Sequence, residues 1–406
     1  WELALADYQK AVELDPEDEV NYFKVAVVFE ILDRWGRALS TYLQLIKQFG
    51  EDAGVYNNMA MIYEDDLEDY EKALEYYNKA VELAPDDAQY YENRAYLFYN
   101  KLDKKEEALA DFNTFIELEP ENDEAYYSRG LFYENEEKWE LALEDYQKAV
   151  ELNPEDEFNY FKVAYVFEIL DRFDLALSTY LQHIKQFGEA ASVYNNMAMI
   201  YEDDLEDYEK ALEYYSKAIE LVPDDVLYYE NRASLFYYKL NKKEEALADL
   251  NTHIELEPEN DEAYYSRGLF YENEEKWELA LADYQKAFEL NPEDVSSYFK
   301  VGYVFEILER FDIALSTYLQ LIKQFGEDAA VYNNMAGIYK NDLENYEKAL
   351  EYYNKAIELR PDYAQYYENR ASLFYYKLNK KEGALADLNT HIELEPENDE
   401  AYYSRG

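Results

Sequence analysis

One stretch of 138 residues is written three times along this chain. The run WELALADYQK from Trp1 returns as WELALEDYQK from Trp139 and as WELALADYQK from Trp277, and most of what lies between returns with scattered substitutions. This repetition decides how 406 residues can fold. A single core of that size would normally divide into separate domains. A repeat array avoids the limit, because each unit buries its apolar face only on its neighbours.

A shorter period lies inside the long one. All nine prolines (16, 85, 120, 154, 223, 258, 292, 361 and 396) follow an ELxP-like helix end. At the three places where the rhythm skips, Gly50, Gly188 and Gly326 stand in KQFGE. Proline cannot continue a helix, and glycine readily takes a left-handed C-terminal cap, so both read as helix stops. Between stops the pattern predicts two amphipathic helices. Tyr126, Gly130 and Tyr133 share one face, Trp139, Ala142, Tyr146 and Ala149 share another, and Glu134–Glu137 forms the polar turn between them.

The small position of the first helix is Gly130, Gly268, Gly302 or Gly406, and alanine in the other copies. The matching position of the second helix is alanine throughout, from Ala4 to Ala384. This alternation of aromatic and small residues closed by proline resembles the tetratricopeptide repeat. The resemblance covers the whole chain. It implies an all-α, right-handed superhelical solenoid of antiparallel helix pairs, with blocks 1–138, 139–276 and 277–406 in one continuous array. Repeats within a block run 34, 34, 35 and 35 residues, and the extra residue is expected between the two helices, as between Tyr201 and Ala211. Where the family usually has alanine on the second helix, this chain has Leu45, His183 and Leu321 in the second repeats, and Phe115, His253 and His391 in the fourth. Wider seams are expected there. The chain opens at a second helix and stops at Gly406 inside a first one, which reads as a window on a longer array.

Charge excludes several functions. Asp and Glu number 91 against 38 Lys and Arg, a net of −53. Such a surface repels nucleic acid, whose binding rests on neutralised phosphates. It favours basic partners and, at most, weak divalent-cation association. Cysteine is absent, so thiolate metal sites and disulfides are excluded. No apolar run is long enough to insert in a membrane. No cofactor and no enzymatic activity are expected, because nucleophilic triads, phosphate-cradling loops and HExxH are missing. Histidines exchange with Leu or Phe between blocks, which suits structural, partly buried residues. The acidic run Glu64–Asp69 becomes Lys340–Asn345 in the third block, which suits a solvated turn better than a calcium loop.

The family resemblance implies a concave face lined by first helices that holds peptides. Carried over, its positions are Phe23, Val27 and Asn57; Tyr127, Leu131, Phe161, Tyr165, Asn195 and Met199; and Phe299, Tyr303 and Asn333. The basic clamp for a C-terminal carboxylate is not matched, since only the asparagines are present. Paired tyrosines such as Tyr126-Tyr127 are expected to leave one ring partly exposed. Two roles fit: a long structural array (a stalk, spacer or filament, extracellular or at a cell surface), or a multivalent scaffold for apolar or basic protein segments. Partners would be proteins, peptides or further copies of the array.

Overall fold

A computed structural model describes residues 1–406 as 24 α-helices with no strand. The molecule divides into two compact units, Trp1–Asp204 and Leu205–Gly406. Within each, helices follow as antiparallel pairs, and a pair is one repeat.

The repeat that bridges the first and second blocks shows why each piece forms. Asn122 caps the helix Asp123–Asn135, its side chain accepting from the Glu124 N–H at 3.0 Å. Asp123 and Glu124 then place negative charge on the first turn, where the helix dipole favours it. The helix ends by wrapping its last carbonyls: the Glu137 N–H reaches the Glu134 carbonyl and the Lys138 N–H reaches that of Tyr133. This wrap needs a left-handed residue, and Glu137 supplies it at φ 54°. The second helix, Trp139–Leu152, starts at once and stops at Asn153, before Pro154.

Every hairpin repeats this device, and none uses glycine. Eleven residues of Asp, Glu or Asn occupy the left-handed turn, from Asp33 to Asn379. Each costs about 1 kcal/mol relative to a relaxed backbone. Glycine appears instead at the ends of second helices, where Gly50, Gly188 and Gly326 hold φ of 98–109° with ψ near 180°. That is not the left-handed cap the sequence suggested but a fully extended, glycine-only conformation. The seams that follow these glycines are the loosest in the array, in line with the wider spacing expected beside Leu45, His183 and Leu321.

The extra residue of the longer repeats is not in the connection. In four of the six longer repeats it is absorbed in the last turn of the first helix, which widens to π geometry at Ile62–Asp66, Ile200–Asp204, Leu235–Lys239 and Leu373–Lys377. In the other two the helices Ala88–Asn100 and Ala329–Asn341 stay α, and a single N–H just past each end bonds five residues back, Leu102 to Leu97 and Leu343 to Ile338. The Leu67 N–H, for example, bonds five residues back to the Ile62 carbonyl. Glu64 therefore lies inside a helix, buried, and accepts from the Tyr77 hydroxyl at 2.9 Å. The run Glu64–Asp69 is thus not the wholly solvated turn that its composition suggested.

Small residues do permit the close approach of helices. A Cβ on Gly130 would stand 2.7 Å from the Tyr146 ring, and one on Gly302 would stand 2.6 Å from Tyr318. These two glycines differ in consequence. The counterparts of Gly302 in the other blocks are Ala26 and Ala164, both fully buried, so that seam already accommodates a methyl. The counterparts of Gly130 are all glycine, and Tyr146 is held by a 2.5 Å bond to Glu134. Gly130→Ala is therefore expected to cost about 1–3 kcal/mol through overpacking, and Gly302→Ala less than half of that. Urea midpoints of the two variants measure the difference.

Candidate interaction face

The residues expected to line a groove lie on first helices, and the structure shows what each touches. Phe23, Phe161 and Phe299 are half-buried, each with its ring about 6 Å from the buried tyrosine of its own second helix (Tyr42, Tyr180 and Tyr318). Tyr127 meets Tyr146 in the same way, and its counterpart Tyr265 meets Tyr284. Tyr165 and Tyr303 rest edge-on against Trp139 and Trp277. Val27 and Leu131 are half-buried, and Met199 is exposed. Asn57 is buried and its carbonyl oxygen accepts from Asn93 at 2.9 Å; Asn333 accepts from Asn369 at 2.8 Å. Asn195, at the same position in the second block, is also buried. A depression of about 290 Å³ lies where the second block meets the third, lined by Tyr265, Phe299, Lys300, Leu321 and Val331.

The paired tyrosines have work inside the array. In pairs near the start of a first helix one ring reaches back to the incoming turn: Tyr91, Tyr126, Tyr264 and Tyr367 donate to the carbonyls of Pro85, Pro120, Pro258 and Pro361 at 3.0–3.2 Å. After a glycine stop the same position turns to the glutamate instead, as Tyr56 does to Glu51 at 2.9 Å. The histidines are more buried than expected, at 2–4% exposure, and burial lowers the pKa of His183. No group of His, Asp and Glu gathers with metal-holding geometry.

Two charged features were missed by sequence reasoning. The first is a tie through each fourth and first repeat. Arg129 forks onto Asp145 of its own second helix with two bonds of 2.8 Å, and its third nitrogen reaches Asn113 of the preceding repeat at 2.7 Å. Arg94, Arg232, Arg267 and Arg370 do the same with Asp111, Asp249, Asp283 and Asp387. A fixed Arg before the small residue and a fixed Asp three after the alanine were its visible sign.

The second is an unneutralised acidic pair in each block. Glu30 lies seven residues beyond Phe23 and three beyond Val27, on one helical stripe. Glu168 and Glu306 stand at the same place beyond Phe161 and Phe299. Burial raises the pKa of all three, reaching about 7 for Glu306, and the charges of Asp66, Asp204 and Asp342 raise them further. Tyr318 donates to Glu306 at 3.2 Å, while one oxygen of Glu30 is buried with no partner. None of the three glutamates pairs with a Lys or Arg. Elsewhere cations do cover such groups: Lys162 and Lys300 bridge to Glu134 and Glu272 at 2.7–2.8 Å.

The repeats match models described as tetratricopeptide repeat, over residues 123–156 and 261–294 by one and over 53–87, 88–122, 191–225 and 329–363 by a second. These segments cover more than half of the chain, and the chain belongs to the tetratricopeptide repeat family. No curated protein matches the sequence. Among solved structures it is similar to yeast Tom70, at TM-score 0.42 and 19% identity, covering 95% of this chain and 94% of that one. It is similar also to a tetratricopeptide repeat protein from Parabacteroides merdae, at 0.44 and 20%, over 70% and 97%. A third is YrrB, a TPR protein with an unusual peptide-binding site, at 0.36 and 26%, over 48% and 98%. No helix is long and apolar enough to cross a membrane.

Proposed function

We propose that this chain is a non-enzymatic scaffold that holds basic segments of protein partners at three equivalent places on its first helices. The observation that carries this reading is a partly buried glutamate in each block, Glu30, Glu168 or Glu306, that pairs with no Lys or Arg, with the charge of Asp66, Asp204 or Asp342 acting on it as well. A partly buried carboxylate loses hydration that a tyrosine hydroxyl, such as that of Tyr318 on Glu306, replaces only in part until an opposite charge arrives. A lysine or arginine from a partner supplies it, while Phe23, Phe161 and Phe299 offer apolar contact one to two turns away. Spacing the places 138 residues apart lets a multivalent partner gain avidity. The same charge disfavours nucleic acid and leaves at most weak divalent-cation association.

The test is calorimetry with a peptide alternating Leu and Arg. Replacing Glu30, Glu168 and Glu306 together by glutamine is expected to weaken binding at least tenfold. A control changes the exposed Glu13, Glu151 and Glu289 to glutamine, removing the same number of carboxyl groups. Equal losses in both variants would reduce the effect to bulk charge and sink the proposed places.

A second reading is a structural array: a stalk, spacer or filament. The near-identity of equivalent seams favours it, since the Arg–Asp ties recur at 2.7–2.8 Å in every block. Loss of peptide binding in neither variant leaves this reading standing alone.

A further inference from the structure

The fourth repeats differ between blocks at one spot. In the first block the ring of Tyr96 fills the seam. It meets Phe112 edge-on at 5.3 Å and donates to Ser128 Oγ at 2.9 Å, and that hydroxyl donates on to Glu92 at 2.7 Å. In the second block Tyr96 becomes Ser234, Phe112 becomes Leu250 and Phe115 becomes His253, while the serine and glutamate persist as Ser266 and Glu230. A cavity of about 160 Å³ results, lined by Ser234, Leu250, Leu269 and Phe270, with Glu230 and Ser266 among its polar residues. Asn100 becomes Tyr238, which lines the same cavity, 66% exposed and edge-on to Tyr237. His253 is 2% exposed, and neither ring nitrogen makes a hydrogen bond, although Nδ1 lies 3.1 Å from Glu230. The third block makes the same four exchanges, to Ser372, Tyr376, Leu388 and His391. There the serine again donates to its glutamate, Ser404 to Glu368, at 3.3 Å.

Emptying a seam costs packing energy, yet no wall residue grows to refill it, and the rim gains a ring. The vacated space is that of a phenol whose hydrogen-bond partners have stayed in place. We propose that the cavity of the second block receives a tyrosine side chain presented by an extended partner segment. The ring enters among Leu250, Leu269 and Phe270, with Tyr238 over it, and its hydroxyl meets Ser266 and Glu230 as that of Tyr96 meets Ser128 in the first block. The size fits, since apolar cavities of about 150 Å³ take up benzene. The polar end selects tyrosine over phenylalanine, because a bare ring would leave those groups unpaired. The place is distinct from the acidic pairs and does not depend on them.

The probes are p-cresol, toluene and the capped tripeptide acetyl-Gly-Tyr-Gly-amide, titrated into the full chain by NMR. We expect p-cresol to bind at about 1 mM or tighter, toluene at least fivefold more weakly, and the tripeptide to compete with p-cresol. Ser234→Tyr, which restores the first block's residue, is expected to lower p-cresol affinity at least tenfold. Leu250→Phe serves if that variant does not fold. Absence of p-cresol binding, equal binding of toluene, or undiminished binding to the filled variant overturns the proposal. Binding of p-cresol without competition by the tripeptide overturns it as a side-chain site.

Discussion

Arg129→Ala is expected to cost about 3–5 kcal/mol, because it strands Asp145 in a seam where that carboxylate is only 6% exposed. Arg129 also ties three helices, so its loss frees Asn113 as well. Lysine should rescue little, since one ammonium cannot make the forked contact. The double change Arg129→Val with Asp145→Thr should return most of the stability. The second repeat is built that way: Val163 and Thr179 stand at the corresponding positions, both buried. Urea unfolding of the single and double variants measures this. A loss below about 1 kcal/mol for Arg129→Ala would show that the tie is a spectator.

The second large effect is a gain of stability on mild acidification. Glu30, Glu64, Glu92, Glu168 and Glu306 all have raised pKa values in the folded chain, with burial as the main cause. The folded state then binds protons that the unfolded chain does not. Stability from these groups is fully present below the unfolded pKa near 4.5 and is lost as pH rises through their folded values, which for Glu306 means about 7. Glu306 alone accounts for up to about 3 kcal/mol, less what solvent screening removes. His183 acts in the opposite direction. Its folded pKa is lowered, so its contribution is lost as pH falls below 6.5. The net expectation is a urea midpoint that rises between pH 8 and pH 6, with Glu306→Gln raising it at pH 8 and flattening the slope. A midpoint that falls over that range would contradict the burial of these carboxylates.

What could be read from the sequence follows the rules of periodicity. Helix pairing, the stops at proline and glycine, and the close approach at Gly130 and Gly302 all follow from side-chain size and spacing, which a linear pattern displays. The π turns did not show, because one added residue looks the same in a loop and in a widened helix; only the hydrogen bond from Leu67 to Ile62 separates them. Eleven left-handed acids and asparagines were invisible for a related reason. Their conformation is imposed by the hairpin, against their own preference. Phe23, Phe161 and Phe299, the aromatics expected to face a groove, do lie on first helices, but packing against Tyr42, Tyr180 and Tyr318 covers part of each ring. Glu30, Glu168 and Glu306 were overlooked because, in a chain with 91 acidic residues, burial and not identity marks the unusual ones.

The four repeats of a block do not end alike. Two close their first helix on an ordinary turn and two on one where a leucine N–H bonds five residues back, and one of the four passes to the next through an extended glycine. A crossover between genes that dropped a single repeat would therefore join edges that meet nowhere else in this chain. A crossover shifted by a whole block would recreate junctions already in use. Heritable length variants of this array should accordingly differ by multiples of 138 codons.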